Sequence, residues 1–425
     1  MLDLRALRDD PDTFRAGLDR RGAAGDLDRV LELDSRWREL TVRVEHLRAE
    51  QNRSSKDIGR AQGEERDRLI AAVKAVSDKL KVLEPELAEA TEGRDALLAR
   101  LPNPPHDSVP LGDTDEDNEL VRDTGPPPDQ GFEPKDHVDL GTAIGLLDLE
   151  RGARTSGSRF VYLTGPGAWL QFGLVRYALD VVTPHGFVPV IPPVLVREEA
   201  MFGTGFFPTD EAQIYATRDD DLYLVGTSEV PLAALHQDEI LDGDALPIRY
   251  CGYSTCFRRE AGAHGKDTRG MFRVHQFDKV EMFSFSRPEA SWEEHEFLLS
   301  LEERIVGGLE IPYRVMNVCT GELGPAAAKK YDIEAWLPGQ GRYRELTSCS
   351  NTTDYQARRL GARLRASGGD GTRPVHTLNG TAVAVGRTII AVLENHQQPD
   401  GSVPLPGALR PYLPETLHVL HPATT

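Results

Sequence analysis

Residues 256–285 read CFRREAGAHGKDTRGMFRVHQFDKVEMFSF, and the order of residue types in them organises the rest of the chain. The stretch opens on Phe257-Arg258-Arg259-Glu260 and passes through a glycine-rich basic loop to Arg269 and Gly270. It returns through Arg273-Val274-His275-Gln276-Phe277 to a β-prone run that reaches Glu281. Arginine forks match phosphate and carboxylate oxygens in pairs, so several arginines around one turn make an anion clamp. An aromatic ring beside the clamp offers a stacking face for a base, and a carboxylate there accepts from an exocyclic amine or an ammonium. A charged surface hairpin is the plainer alternative, but the three elements together favour a binding turn.

Working outward, short β-prone runs (Phe160 to Leu163, Leu222 to Val225, Ile248 to Tyr253, Val280 to Phe285, Tyr313 to Val318) alternate with helical stretches at Trp169 to Val182 and Ser291 to Gly307. Strands and helices without regular βαβ spacing indicate an α+β fold with a largely antiparallel sheet. No GxxxxGK loop and no GxGxxG fingerprint occurs, so a nucleotide must be held another way.

Towards the N-terminus the pattern changes. Val30, Leu33, Trp37, Leu40, Val44 and Leu47 follow a 3, 4, 3, 4, 3 spacing, a heptad seam. Leu69, Val73, Val76, Leu80, Leu83, Leu87, Ala90, Leu97 and Leu101 form a second seam, interrupted only by Arg94. Asn52 to Gly63, polar and glycine-containing, reads as the turn between them, giving one antiparallel hairpin with helices of roughly 50 Å. Pro85 is expected to kink the second helix. Arg43, Arg48, Arg53, Lys56 and Arg60 lie towards the tip, a distribution that a solvated charged face explains equally well. Pro102 to Gly141 reads as a proline-rich acidic linker. The domain reading is therefore 1–105 hairpin, 106–140 linker and 141–425 main domain.

The 425 residues carry a net charge of −19, with 39% hydrophobic and 28% charged residues. That acidity argues against indiscriminate nucleic-acid binding, although a local basic surface remains compatible with it. Four cysteines without a CxxC pair argue for buried thiols rather than a disulfide framework or a zinc site. No apolar run reaches the ~20 residues of a membrane span, and the opening residues lack the order of a signal peptide, so a cytoplasmic location is expected.

The FRRE…RVHQF string resembles motif 2 of class II aminoacyl-tRNA synthetases. His185-Gly186-Phe187 through Pro192-Pro193 resembles motif 1, the dimer-interface element, and Asn379-Gly380-Thr381 through Arg387 resembles motif 3. Gly226-Thr227-Ser228-Glu229, Phe277-Asp278-Lys279-Val280-Glu281-Met282 and Arg344-Glu345-Leu346-Thr347-Ser348-Cys349-Ser350-Asn351 are similar to strings of bacterial-type seryl-tRNA synthetases. So are Ser156-Gly157-Ser158-Arg159-Phe160 and the tail Leu393-Glu394-Asn395-His396-Gln397. The resemblance spans essentially the whole chain. It departs at Thr381, where many relatives have serine, and in Phe206-Phe207-Pro208, which lacks polar residues often found there.

The resemblance implies an antiparallel-sheet class II synthetase catalytic core preceded by a helical coiled-coil hairpin that binds tRNA. It implies a homodimer using ATP and Mg²⁺, with L-serine and tRNA(Ser) as substrates. Arg258 and Arg387 are the expected catalytic residues. Thr227, Ser228, Glu229, Arg258, Glu281 and Thr381 would bind serine. Arg258, Arg259, Glu260, Arg273, Val274, Phe277, Glu345, Leu346, Thr347, Ser348 and Arg387 would bind ATP, with Glu345 and Ser348 on its Mg²⁺. Arg43, Arg48, Arg53 and Lys56 would meet tRNA. The alternatives are a paralogue that activates an amino acid for a carrier protein or a biosynthetic pathway, and a non-catalytic RNA-binding coiled coil.

Overall fold

The computed structural model of the chain describes residues 1–262, 265, 267, 269–365 and 371–423. Positions 263, 264, 266 and 268, in the basic loop read from the sequence, lie outside the described residues. Two compact units are present, Leu2–Pro104 and, apart from Met1, Pro105–Thr425.

The first unit is helical: α1 (Leu4–Asp9), α2 (Pro11–Asp19), α3 (Ala24–Ile58) and α4 (Glu64–Arg100). The heptad seams meet where expected. Leu40 and Val44 of α3 are buried against Val76, Leu80, Leu83 and Ala90 of α4, with Trp37, Leu47 and Leu87 closing the edges. Arg94 breaks the seam for a reason the heptads conceal. Asp34 is buried on the facing helix, and an unpaired carboxylate there would cost several kcal/mol. Arg94 lies 3.7 Å from Asp34 and stacks over Trp37 at 4.4 Å, while Arg8 and Arg38 approach Asp34 at 3.2 and 3.1 Å. The turn is shorter than its polar sequence indicates. Helix α3 continues to Ile58 because exposed polar residues suit a helix surface, and the reversal needs only Gly59–Gly63, with Gly63 at φ +58°. Helical residues run unbroken through Pro85. Arg43, Arg48, Arg53 and Lys56 are all exposed on α3, and Arg48 pairs with Glu84 at 2.7 Å.

The second unit is built on an eight-stranded sheet. In chain order its strands are β1 (Glu119–Asp123), β2 (Phe187–Val190), β3 (Ile248–Phe257), β4 (Gln276–Ser286), β5 (Tyr313–Asn317), β6 (Lys329–Leu337), β7 (Arg342–Asn351) and β8 (His376–Ala384). The spatial order is β1-β5-β6-β7-β8-β4-β3-β2, antiparallel throughout except for the parallel β2–β3 pair. Helices α5 (Pro166–Val182), α6 (Ser291–Gly308) and α7 (Val385–His396) pack on the sheet through Leu174, Leu298, Ile305, Ile389 and Val392, against Val280, Met282, Ile333 and Val383. Strand side chains alternate between faces, so Lys279 and Glu281 point away from that core, between Val280 and Met282.

Two outcomes depart from the sequence reading. Strands β6 and β7 were not read as strands, because KKYDIEAWL and RYRELTSCSN carry charge on alternate positions instead of an apolar run. The stretch 106–140 holds more order than a linker: β1 is the sheet's edge strand, and helix His137–Ile144 packs into the main core through Leu140 and Ile144. All five residues of β1 are exposed, so its pairing rests on backbone hydrogen bonds that composition does not reveal. Cys251, Cys256, Cys319 and Cys349 are free and buried. Among the described residues no helix is long and apolar enough to cross a membrane.

Candidate active site

The central strands and the turn between β3 and β4 wall a cleft with two lobes. The base of that turn is pinned by paired bonds: the Arg258 N–H donates to the His275 carbonyl at 2.9 Å, and the Arg258 carbonyl meets His275 Nδ1 at 2.9 Å. One lobe, about 320 Å³, is lined by Glu260, Met271, Phe272, Arg273, Val274, Phe277, Glu345, Leu346, Thr347 and Arg387. The other, about 250 Å³, is lined by Thr227, Glu229, Glu281, Asn379 and Asp210. Arg258, Lys279, Lys330, Ser348 and Thr381 line both.

Two β-bulges aim these side chains. Between β6 and β7, Thr347 faces Ile333 while Glu345 faces Glu334, so Leu346 is an extra residue. Glu345 and Ser348, three apart and on opposite faces of a regular strand, thereby reach the same lobe. In β8 Ala382 is likewise extra, since Glu281 faces Thr381 and Val280 faces Val383. That brings the Thr381 hydroxyl to the pocket holding Glu281. Beneath the floor the fully buried Glu302 of α6 accepts from Thr347 Oγ1 at 2.7 Å, and burial pushes its carboxyl well above the ordinary range.

The larger lobe is rich in cations, each set against a carboxylate or a ring. Arg387 and Arg344 clasp Phe272 from 4.7 and 3.8 Å, Arg273 holds Glu260 at 2.7 Å, and Arg344 holds Asp267 at 2.7 Å. Glu345 pairs with Arg387 at 3.1 Å. Arg387, Lys330 and Arg258 hold the Glu345 carboxyl below the usual carboxylate range. Glu260 has φ +51°, a left-handed conformation that a non-glycine residue rarely adopts and that concentrates at functional sites. Arg258 donates from Nε to the Gly226 carbonyl at 3.1 Å and lies over Phe277 at 5.3 Å.

In the smaller lobe Glu281 is buried, ion-paired with Lys279 and 3.4 Å from Thr227 Oγ1. Glu229 accepts from Gln356 Nε2 at 2.7 Å and from Asn379 Nδ2 at 3.0 Å. Burial, then repulsion from Glu281, pushes the Glu229 carboxyl up to about 7. A raised carboxyl pKa means the folded state resists ionisation. Its stability contribution is complete below the unfolded value of 4.5 and is lost as pH rises through about 7. Glu229→Gln keeps an acceptor for both amide donors, so it should stabilise the apo chain by up to about 3 kcal/mol at pH 8 and by less than about 1 kcal/mol at pH 5. Thermal unfolding at the two pH values checks this; equal shifts at both would contradict it.

The comparisons with known proteins can be set against this geometry. The model for the seryl-tRNA synthetase N-terminal domain matches residues 1–105, and that for the class II tRNA synthetase core domain (G, H, P, S and T) matches 213–396. The serine–tRNA ligase of Thermobifida fusca is 51% identical over 99% of both chains. The chain belongs to the seryl-tRNA synthetase family. Among solved family structures, the Pyrococcus horikoshii seryl-tRNA synthetase complexed with ATP aligns over all of both chains with 45% identity and a TM-score of 0.91. The Naegleria fowleri cytoplasmic serine–tRNA ligase with AMP covers 95% of this chain and 94% of its own, with 36% identity and a TM-score of 0.82.

Most family residues expected from the sequence line the cleft; two do not. Ser228 is fully buried and donates to the Gly252 carbonyl at 3.1 Å, bracing β3 from behind. Arg259 is exposed and lines neither lobe, and its backbone N–H bonds Gln213 at 2.9 Å. Ser228 caps the helix Glu229–Ala233 and Arg259 follows the end of β3, so a matched string here does not place every side chain inside. Conversely, Lys279 and Asn379 lay within matched strings without being singled out, and Lys330 gave no local signal because β6 was unread.

Proposed function

We propose that this chain condenses L-serine with ATP to seryl-adenylate and pyrophosphate, and then transfers the seryl group to the 3′-terminal ribose hydroxyl of tRNA(Ser) with release of AMP. The observation that carries this is the position of Arg258, lining both the arginine-rich lobe and the carboxylate lobe. A serine carboxylate oxygen attacks the α-phosphorus, the bond to the β-phosphate oxygen breaks, and charge grows where Arg258 bridges the two substrates. No protein nucleophile is needed; the site contributes positioning and charge stabilisation. Phe277 would stack on adenine, and Glu260 would accept from its amino group. Arg273 and Arg387 would hold the distal phosphates. Glu345 and Ser348 offer hard oxygen donors on one face. A Mg²⁺ ion held there would take its remaining ligands from phosphate and water. When bound, Mg²⁺ would offset phosphate charge.

Glu281, Glu229, Thr227 and Thr381 would recognise the ammonium and hydroxyl of serine. A site built to bond a hydroxyl rejects the analogue lacking it far more strongly than a missing methylene would be rejected. Glu281→Ala is accordingly expected to raise the KM for serine and abolish discrimination against alanine, with the KM for ATP near that of the parent. An unchanged serine-to-alanine ratio of kcat/KM in pyrophosphate exchange would remove Glu281 from this role.

Val188 and Ile191, the latter 85% exposed, are exposed apolar residues of the motif 1 element, and with Trp169 and Phe172 exposed on α5 they support a homodimer. A cytoplasmic enzyme is the companion expectation. The deciding experiment is ATP–pyrophosphate exchange with all twenty amino acids, followed by tRNA charging. Serine-specific exchange with charging supports the reading; exchange without charging supports the carrier-protein or biosynthetic paralogue; no exchange supports the non-catalytic coiled coil.

A further inference from the structure

A buried imidazole–carboxylate pair lies outside the cleft and touches both segments that bring arginines to it. His137 opens the helix His137–Ile144 and is 4% exposed; Glu394 lies near the end of α7 and is 0% exposed. Glu394 Oε1 accepts from the His137 backbone N–H at 3.1 Å and lies 3.2 Å from His137 Nδ1, while Oε2 accepts from the Gly339 N–H at 2.9 Å. A carboxylate only accepts, so Nδ1 carries the proton and Nε2 the lone pair. That lone pair accepts the backbone N–H of Met271 at 3.2 Å.

Met271 lines the larger lobe two residues before Arg273. The neighbouring Gly270 has φ +81°, and a Cβ there would stand 2.0 Å from His137 Nε2, so glycine is what lets the chain pass this close. Arg269 reaches back to the same helix start, 3.2 Å from Asp136 and 2.6 Å from Asp139. Helix α7 carries Arg387 in its first turn and Glu394 in its last.

We propose that His137 is a positioning residue for ATP: seated on Glu394, it ties the returning limb of the motif 2 turn to α7 and so sets the spacing between Arg273 and Arg387. The proposal rests on the reading of ATP use given above. It gives the helix His137–Ile144, whose first half the sequence placed in a linker, a part in building the nucleotide lobe.

The test uses the full chain. His137→Phe keeps a ring of similar volume and removes the acceptor; His137→Gln retains an acceptor near the Nε2 position. Loss of this bond should raise the KM for ATP about tenfold in His137→Phe, with the KM for serine within about twofold of the parent and His137→Gln within about threefold. Hydrogen exchange read by mass spectrometry supplies a measure independent of activity. Peptides spanning 269–275 should exchange about tenfold faster in His137→Phe, while those from the core of α7 keep their protection. Acceleration in both regions alike would reduce the pair to a stability device and overturn the proposal. So would parental ATP KM and exchange in a folded His137→Phe. If that variant does not fold because the Glu394 carboxylate is left buried and unpaired, His137→Phe combined with Glu394→Gln removes the charge, keeps an acceptor for the backbone N–H groups and carries the same expectations. Failure of the parent itself to exchange pyrophosphate with serine would refute the proposed function instead, and the amide exchange rates would still decide the role of His137.

Discussion

Replacing Arg258 with alanine is expected to depress serine-dependent pyrophosphate exchange by a factor on the order of 10² or more, because it removes charge-assisted contacts that strengthen as the reaction proceeds. The guanidinium is oriented by its Nε bond to the Gly226 carbonyl and by the Phe277 ring beneath it. Among the described residues one of its five donors is thereby engaged, which leaves the others to an anion. The loss should appear chiefly in kcat, since an interaction made in the transition state does not act through substrate affinity alone. The fold should survive: Arg258 lies at the end of β3 in a cleft, only partly buried, and the apolar core runs on the other side of the sheet. Unfolding temperature near that of the parent, together with lost exchange, is the expected pair of readings. Exchange close to parental levels would show that the anion clamp works without this residue.

Removing residues 2–104 should separate the two half-reactions. The three larger apolar clusters of the remaining chain draw all their buried members from residues 140–420. Exchange with serine is expected to persist, and charging at low tRNA concentration to fall to near background. On the proposed reading the exposed cations of α3 would meet tRNA phosphates; each phosphate neutralised would release counterions, so binding should weaken steeply with salt. Reversing the charge of Arg48, Arg53 and Lys56 in the full chain should weaken tRNA binding and flatten its dependence on salt concentration. Arg48 is shared with Glu84, so its reversal also places two carboxylates together on the hairpin surface; a thermal melt separates that cost from lost binding. Normal charging by the truncated chain would return the hairpin to the role of an ordinary coiled coil.

Local pattern by itself determined a good deal. Heptad spacing specified which faces of α3 and α4 meet, because a 3.5-residue repeat leaves one stripe to bury. The string 256–285 specified an antiparallel pair closed by a basic turn, and the matched strings named most of the residues that line the cleft. These signals are short-range: they are carried by residues within a few positions of one another, where periodicity and turn chemistry act.

What only the tertiary structure decided depends on partners distant in sequence. Strands β6 and β7 exist because the neighbouring strands accept their backbone, and their charged alternate positions are tolerated because that face is a cleft. The bulges at Leu346 and Ala382 are properties of paired strands, and a single extra residue determines whether Glu345 joins Ser348 and whether Thr381 meets Glu281. Ser228, at the start of the helix Glu229–Ala233, and Arg259, just past the end of β3, are held away from the cleft by bonds to Gly252 and Gln213, residues distant in sequence. Asp34 with Arg94, and His137 with Glu394, are buried charged or polar pairs whose members lie 60 and 257 residues apart. Neither half carries a local signal, because a lone ionisable residue in a sequence reads as surface until folding supplies the group that allows it to be buried.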